Sequence, residues 1–337
     1  TTRTASGGCG CDANEVTAAL KHLQLGKAAG PDGITSEFYV EMGARIAPIL
    51  AHVGNCVRKK GEMSPAQRQG HIVLLWKGKQ RGNLRFYRPI SLVQRIGTVL
   101  EMCIALRLAD ALPTIINSDQ TGFLAKDGRR MHENIVKVLD MLAYSRDKGM
   151  DACFISMDLE KCFDRVSQGL LLDLYDVACG GTPGSVSGVR QPLTEWIQAF
   201  LAKQERRVVV NGELTGSFTL QSGVPQGSVM SVLSWALFGE SLSHFLQENL
   251  TGLRTPSLTA RMVAVRYADD LVLTLQTKEV ALANDICEIW LAATEGRRNA
   301  TKTEGIWVGR NWQRTTSWHR TAAHQSPGDA AFADDAD

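Results

Sequence analysis

Two acidic clusters, each closing a short β-like run, constrain this chain more than any other feature. Asp158 ends the apolar run from Ala152 to Met157 in CFISMDLEKCFD, and Asp269 with Asp270 follows Met262 to Tyr267 in VRYADDLVL. Strand ends that present carboxylates can share cations. An Asp pair alone is an ordinary turn signal, because Asp tolerates turn geometry; the order of events around it is much rarer. Between the clusters lies SGVPQGSVMSVLSWALF, where Gly223, Pro225 and Gly227 punctuate a turn before an apolar helical run. A glycine-rich turn that opens a helix lets backbone approach a ligand closely. Carboxylates of this kind suit phosphoryl transfer, in which catalysis rests on positioning and on neutralising charge on the attacking and leaving oxygens.

With GKAAGPDGIT and YRPISL upstream of LEKCFD, GVPQGS and YADD, the chain resembles the reverse transcriptase domain of a non-LTR (LINE-type) retrotransposon polyprotein, from about Leu20 to Gly309. The resemblance implies an α+β fold, the fingers and palm of a right-hand polymerase, with a ferredoxin-like antiparallel palm sheet carrying helices on one face. Residues 14–125 would be mainly fingers and 126–310 the palm, with part of the fingers within 165–205. Residues 1–13 read as a flexible linker, opening on Thr rather than Met as if excised from something larger. Residues 311–337 read as a disordered acidic tail, leaving the thumb missing or truncated.

The same resemblance implies an RNA-directed DNA polymerase, a nucleotidyltransferase that extends a primer 3′-OH with dNTPs by a two-metal mechanism. Its cofactors would be two Mg²⁺ ions, with Mn²⁺ as a substitute. Its partners would be template RNA, primer DNA, dNTPs and other domains of a larger polyprotein, such as an endonuclease. Asp158 and Asp269 are the expected metal ligands, with Asp270 beside them. Phe163 occupies the place of an aromatic that excludes a ribose 2′-OH, although a core Phe on an amphipathic helix is the competing reading. Cys162 stands where the family usually has a small residue. Gln226 and Gly227 match a part of the nucleotide pocket, and Arg88 with Lys77 or Lys79 matches the finger residues that clamp the triphosphate. Lys302 in TKTEGIWVG matches a lysine that could protonate departing pyrophosphate; a surface lysine is the alternative. Gln120, Gly122 and Phe123 resemble a template-proximal segment, with Arg129 or Arg130 touching template backbone. Two other functions stay open: a catalytically decayed nucleic-acid-binding remnant, or a group II intron maturase-like RNA-binding protein.

Composition is compatible with this and decides less. At 337 residues and 44% apolar content, the chain can bury a sizeable core. Its eight cysteines are scattered without a CxxC pair, and the histidines lack ligand spacing, so no zinc or redox motif is read. No uninterrupted apolar stretch reads as a bilayer span, and no membrane is expected; the setting expected is intracellular, nuclear and cytoplasmic for a eukaryotic retrotransposon. Net charge is +2, but ten Lys or Arg lie between Arg58 and Arg95 against the single acid Glu62. That run, which includes WKGKQRG and YRPISL, fits binding to triphosphate or nucleic-acid backbone.

Periodicity and punctuation place the elements. Helices are expected from Asn14 up to GKAAGPDG, over Glu37 to Lys60, Leu92 to Leu112 and Met131 to Lys148, from the Asp158 strand through Tyr175, and near Trp196. Others are expected over Ser228 to Leu246 and Lys278 to Thr294. Strands are expected at His71 to Trp76, at YRPISL, over Arg206 to Asn211 with a turn at Asn211 and Gly212, and at Thr303 to Val308, with a tight hairpin over Tyr267 to Leu273.

Overall fold

A computed structural model describes residues 10–122, 129–180, 191–258 and 260–309, and the backbone of Arg314–Thr315. Phe123, residues 181–190 and, apart from Arg314–Thr315, the segment 311–337 expected to be an acidic tail lie outside the described residues.

The chain forms two sheets embedded in helices. The first comprises β1 (Gln69–Trp76), β2 (Tyr87–Val93), β4 (Glu205–Val210), β5 (Glu213–Leu214) and β6 (Phe218–Thr219), in the order β2-β1-β4-β5 with β6 also paired to β4. The two strands expected at His71 to Trp76 and YRPISL pair antiparallel as β1 and β2. The turn between β4 and β5 falls on Asn211 and Gly212, both at positive φ, the conformation for which an Asn-Gly pair is favoured in two-residue hairpins.

The second sheet carries the acidic clusters. It contains β3 (Ala152–Met157), β7 (Ala264–Tyr267), β8 (Asp270–Gln276), β9 (Glu304–Val308) and β10 (Arg314–Thr315), in the order β10-β9-β3-β8-β7 with every pair antiparallel. In chain order, β3, α8 (Val229–Asn249), β7, β8, α9 (Val280–Thr294) and β9 make a βαββαβ unit. Their spatial order, fourth, first, third, second, is that of the split βαβ arrangement.

Helices cover both faces of this sheet, which corrects the expectation of one face. Cys153, Ile155, Met157, Leu271, Leu273 and Leu275 point into the main core with α8 and α9. Ala152, Phe154 and Val265 point the other way, against Met141 of α5 (Met131–Asp147) and Leu253. A strand buried on both sides reads as a continuous apolar run rather than an alternating one, as ACFI does before the exposed Ser156.

The remaining helices, α1 (Ala13–Leu20), α2 (Ser36–Lys60), α3 (Pro65–Arg68), α4 (Arg95–Ile115), α6 (Gln168–Ala178) and α7 (Pro192–Leu201), pack largely around α4 and α8. Among the described residues α8 is the one helix long and apolar enough to cross a membrane, but 67% of its apolar window is buried inside the protein. It is therefore a core helix. Its N-terminus is capped by Ser228, whose hydroxyl accepts from Met230 N–H.

Two-faced burial has a measurable consequence. Met141→Ala is expected to cost about 2–5 kcal/mol of stability, whereas Leu139→Ala, on the 57% exposed side of the same helix, should cost within about 0.5 kcal/mol. Equal midpoints for the two variants in urea unfolding would contradict burial of that sheet face by α5.

Candidate active site

The β3–β8 ladder brings the acidic clusters together. Its last pair is Met157 with Leu271, so Asp158 and Asp270 flank the same end of two neighbouring strands. Asp269 lies beside them in the two-residue turn between Tyr267 and Asp270, which pair across the hairpin. Lys302 reaches into the group, with Nζ 3.5 Å from Asp158 Oδ2. The Cys162 thiol donates to Asp269 Oδ2 at 3.3 Å; burial, and then the negative charge of Asp269, push that thiol's pKa up. Partial burial raises the Asp270 pKa, the charges of Asp269 and Asp158 add to the rise, and Lys302 opposes it.

A divalent cation fits such a group. The donors are hard oxygens that repel one another, with one partly compensating ammonium. Among the described residues no three His, Cys, Asp or Glu side chains converge into a ready-made cage. Mg²⁺ is usually held by one or two carboxylates plus substrate phosphates rather than by an all-protein cage, so these donors suit it.

Backbone contacts position the first carboxylate. Asn299 N–H donates to the Asp158 carbonyl at 2.8 Å and Glu160 N–H to the Arg297 carbonyl at 2.8 Å. The segment before Lys302 thus runs alongside Asp158, which explains why TEGRRNATKTE lacks apolar periodicity.

The glycine-rich turn is tied to the same place. Val224 N–H donates to the Phe163 carbonyl at 2.9 Å and Gly223 N–H to the Val166 carbonyl at 2.8 Å. Gly223 has φ +81, and a Cβ there would sit 2.7 Å from the Asp164 carbonyl oxygen, so the turn needs glycine. Gln226 Nε2 donates to Asp164 Oδ1 at 3.1 Å, and the Gln226 carbonyl accepts from Ser91 N–H at 2.9 Å. LEKCFD, GVPQGS and YRPISL are thereby joined through Gln226. Burial raises the Asp164 pKa, with Gln226, Lys161 and Lys77 opposing it, which places Lys77 within electrostatic reach of this cluster. Arg88 is exposed on β2 opposite Leu75. Phe163 is half-buried, its ring 5.7 Å from that of Trp235.

Other expected site residues serve the scaffold. Arg129 Nη1 donates to the carbonyls of Ile116, Asn117 and Gln120 and Nη2 to that of Pro113, at 2.7–3.2 Å. The C-terminal carbonyls of a helix lack intrahelical partners, so this guanidinium is spent on the end of α4 rather than aimed at a template. Gln120 is 1% exposed and is turned toward Ala268.

Sequence reasoning passed over the buried charges beneath the site. Arg266 binds Asp119 Oδ1 at 3.1 Å and Glu240 Oε2 at 2.6 Å. Burial works against its charge, but the two carboxylates outweigh that and hold its pKa above the ordinary value. Glu101 accepts from Ser228 Oγ at 2.7 Å under the α8 N-terminus. An Arg inside a strand pattern and a Glu inside the apolar α4 were the available signals.

Burial raises the Glu101 pKa, against hydrogen bonds from Ser228, Val229 and Met230 and the charge of Arg206. Because the folded-state value exceeds the unfolded one, its penalty is absent in acid and grows as pH rises through the interval between them. Glu101→Gln is expected to remove that part of the pH dependence and to be at least as stable as wild type at pH 7. A Glu101→Gln chain whose unfolding midpoint still falls with the same slope above pH 4.5 would show that Glu101 does not cause it.

Comparison with known proteins identifies the family. Residues 77–319 match the family model described as reverse transcriptase (RNA-dependent DNA polymerase). The chain is 30% identical over 300 residues to the transposon TX1 uncharacterized 149 kDa protein of Xenopus laevis, covering 88% of this chain and 22% of that protein. It is 25% identical over 285 residues to the RNA-directed DNA polymerase from mobile element jockey of Drosophila funebris, covering 83% and 29%. It is also 25% identical over 263 residues to the probable RNA-directed DNA polymerase from transposon BS of Drosophila melanogaster, covering 77% and 27%. The chain thus spans between about a fifth and a third of the length of these relatives. It belongs to the reverse transcriptase (RNA-dependent DNA polymerase) family, of the type carried by non-LTR retrotransposons.

Proposed function

We propose that this chain is the fingers and palm of a polymerase that extends a primer 3′-OH with dNTPs on an RNA template, within a longer retrotransposon protein. The observation that carries this is the meeting of Asp158, Asp269 and Asp270 at one end of the β3–β8 ladder, with LEKCFD, GVPQGS and YRPISL joined beside them.

Asp158 and Asp269 would hold two Mg²⁺ ions, with Asp270 supporting the site; Mn²⁺ would substitute. Bound ions of this kind neutralise charge on the attacking and leaving oxygens. The protein's own task is placement. Arg88 and Lys77 extend from the β1–β2 hairpin and would engage the triphosphate, Arg as a fixed fork and Lys as a mobile point charge. The Gln226 amide nitrogen is taken by Asp164, so Gln226 would act on the nucleotide through its remaining oxygen and with the backbone of Gly227. Phe163 packs beside Trp235 with tilted rings and would exclude a ribose 2′-OH. Lys302, beside Asp158, would deliver a proton to departing pyrophosphate. Sequence would be read by base pairing, with the basic stretch from Arg58 to Arg95 on the nucleic-acid backbone.

Primer extension on an RNA template with Mg²⁺ and dNTPs tests the reading. Wild type should extend, and Asp269→Ala should lose at least about a hundredfold in rate while still binding RNA. If wild type binds RNA but does not extend, the polymerase reading fails and a nucleic-acid-binding remnant stands.

Sugar selection gives a separate check. Phe163→Ala should raise ribonucleotide incorporation relative to deoxyribonucleotide by roughly ten- to hundredfold, as expected for loss of a steric contact. Unchanged discrimination would return Phe163 to a packing role.

A further inference from the structure

Ala268, between Tyr267 and Asp269, has φ +56. Hairpin turns that need this left-handed region usually place Gly, Asn or Asp in it, because a Cβ crowds the neighbouring carbonyl oxygen there. The structure supplies what the side chain does not. Gln120 Oε1 accepts from Ala268 N–H at 3.0 Å, and Gln120 Nε2 donates to the Ala268 carbonyl at 3.2 Å. Trp235 Nε1 donates to the same carbonyl at 3.0 Å. Both backbone polar groups of the residue before Asp269 are therefore held from outside the hairpin.

The clamp is itself rigidly seated. Gln120 Oε1 also accepts from Gly122 N–H at 2.8 Å, and a Cβ at Gly122 would run into the Ala268 nitrogen. Residues 119–121 lie along β7: Arg266 N–H donates to the Asp119 carbonyl at 2.7 Å and Thr121 N–H to the Arg266 carbonyl at 3.0 Å. Arg129 fastens the Gln120 carbonyl from below at 3.1 Å. With Gln120 1% exposed, its amide is committed to the hairpin.

We infer that Gln120 is a positioning residue of the polymerase site: by clamping Ala268 in the left-handed conformation it sets the direction of the Asp269 carboxylate. The effect on rate rests on the polymerase reading above; the clamp itself does not. Catalysis that depends on placement is sensitive to small displacements of a ligand, so a relaxed turn should slow the chemical step more than it weakens binding.

The test uses the full chain with Gln120→Met, similar in length but without the amide, and Gln120→Glu, which keeps the acceptor for Ala268 N–H and loses the donor. Amide hydrogen exchange resolved at Ala268 reads the clamp directly. In Gln120→Met, exchange there should accelerate at least about tenfold while the β3 and β8 amides keep wild-type protection; Gln120→Glu should lie between the two. In primer extension, kcat of Gln120→Met should fall at least about tenfold, with dNTP KM and RNA–primer affinity within about threefold of wild type, and more Mg²⁺ should be needed for half-maximal rate. Unchanged Ala268 exchange overturns the proposal. So does an intact kcat with weakened RNA–primer binding, which would make Gln120 a template contact. If Gln120→Met fails to fold, Gln120→Asn, too short to hold both Ala268 groups, should still accelerate Ala268 exchange; no acceleration there likewise overturns the clamp. Should wild type fail to polymerise, the exchange measurement still decides the clamp, so the two failures are distinguishable.

Discussion

The pairing of β3 with β8 is the constraint on which the rest of the structure depends. It forces Asp158 toward Asp270, with Asp269 in the adjoining turn, and like charges brought together raise the energy of the folded chain. Nothing local offsets this fully, because Lys302 is 62% exposed and an exposed ion pair contributes little. The offset comes from packing. β3 is buried on one face against α8 and α9 and, at Ala152 and Phe154, on the other against α5, with Ser156 exposed; apolar burial of that extent holds a ladder that its own carboxylates oppose. An edge strand with one wet face would have had less to hold them with.

Much of this was legible wherever the signal is local. ACFISM ends at Met157 as its apolar run ends, the Asn211–Gly212 turn has the chemistry its conformation requires, and Gly223 sits where the Asp164 carbonyl leaves no room for a side chain. The resemblance carried by LEKCFD, GVPQGS and YADD implied which segments meet. Contacts between distant segments left no such trace. The Gln120 and Ala268 pair is separated by 148 positions, and a hydrogen bond has no periodicity from which it can be read. Arg129 was expected, with Arg130 as the alternative, on template backbone because sequence does not say which carbonyls at a helix end lack partners. The α5 face was misjudged for a related reason: the apolar run from Ala152 to Met157 was visible, but nothing local says which element covers its far side.

Several buried polar groups lie next to turns of the candidate site or near them. Glu101 and Ser228 meet under the turn that opens α8. Arg206 is held by the carbonyls of Arg68 and Glu205 and the Gln204 side chain, and burial lowers its pKa to about 10. Arg266, Asp119 and Glu240 lie beside the hairpin that carries Asp269. Well-packed apolar residues in place of a buried ion pair are often neutral or stabilising, so stability alone is a weak account of these sets.

Geometry is a better account. Arg266 grips Asp119 twice, through its guanidinium and through its own backbone N–H to the Asp119 carbonyl. An apolar pair would fill the space, but it would leave residues 119–122 able to slide along β7, since backbone hydrogen bonds alone accept more than one register. A slip of one residue would carry the Gln120 amide away from Ala268. The charge pair is directional and buried, and it admits one register. Its cost in desolvation is thus tied to the position of a backbone segment, and through that segment to the carboxylate of Asp269.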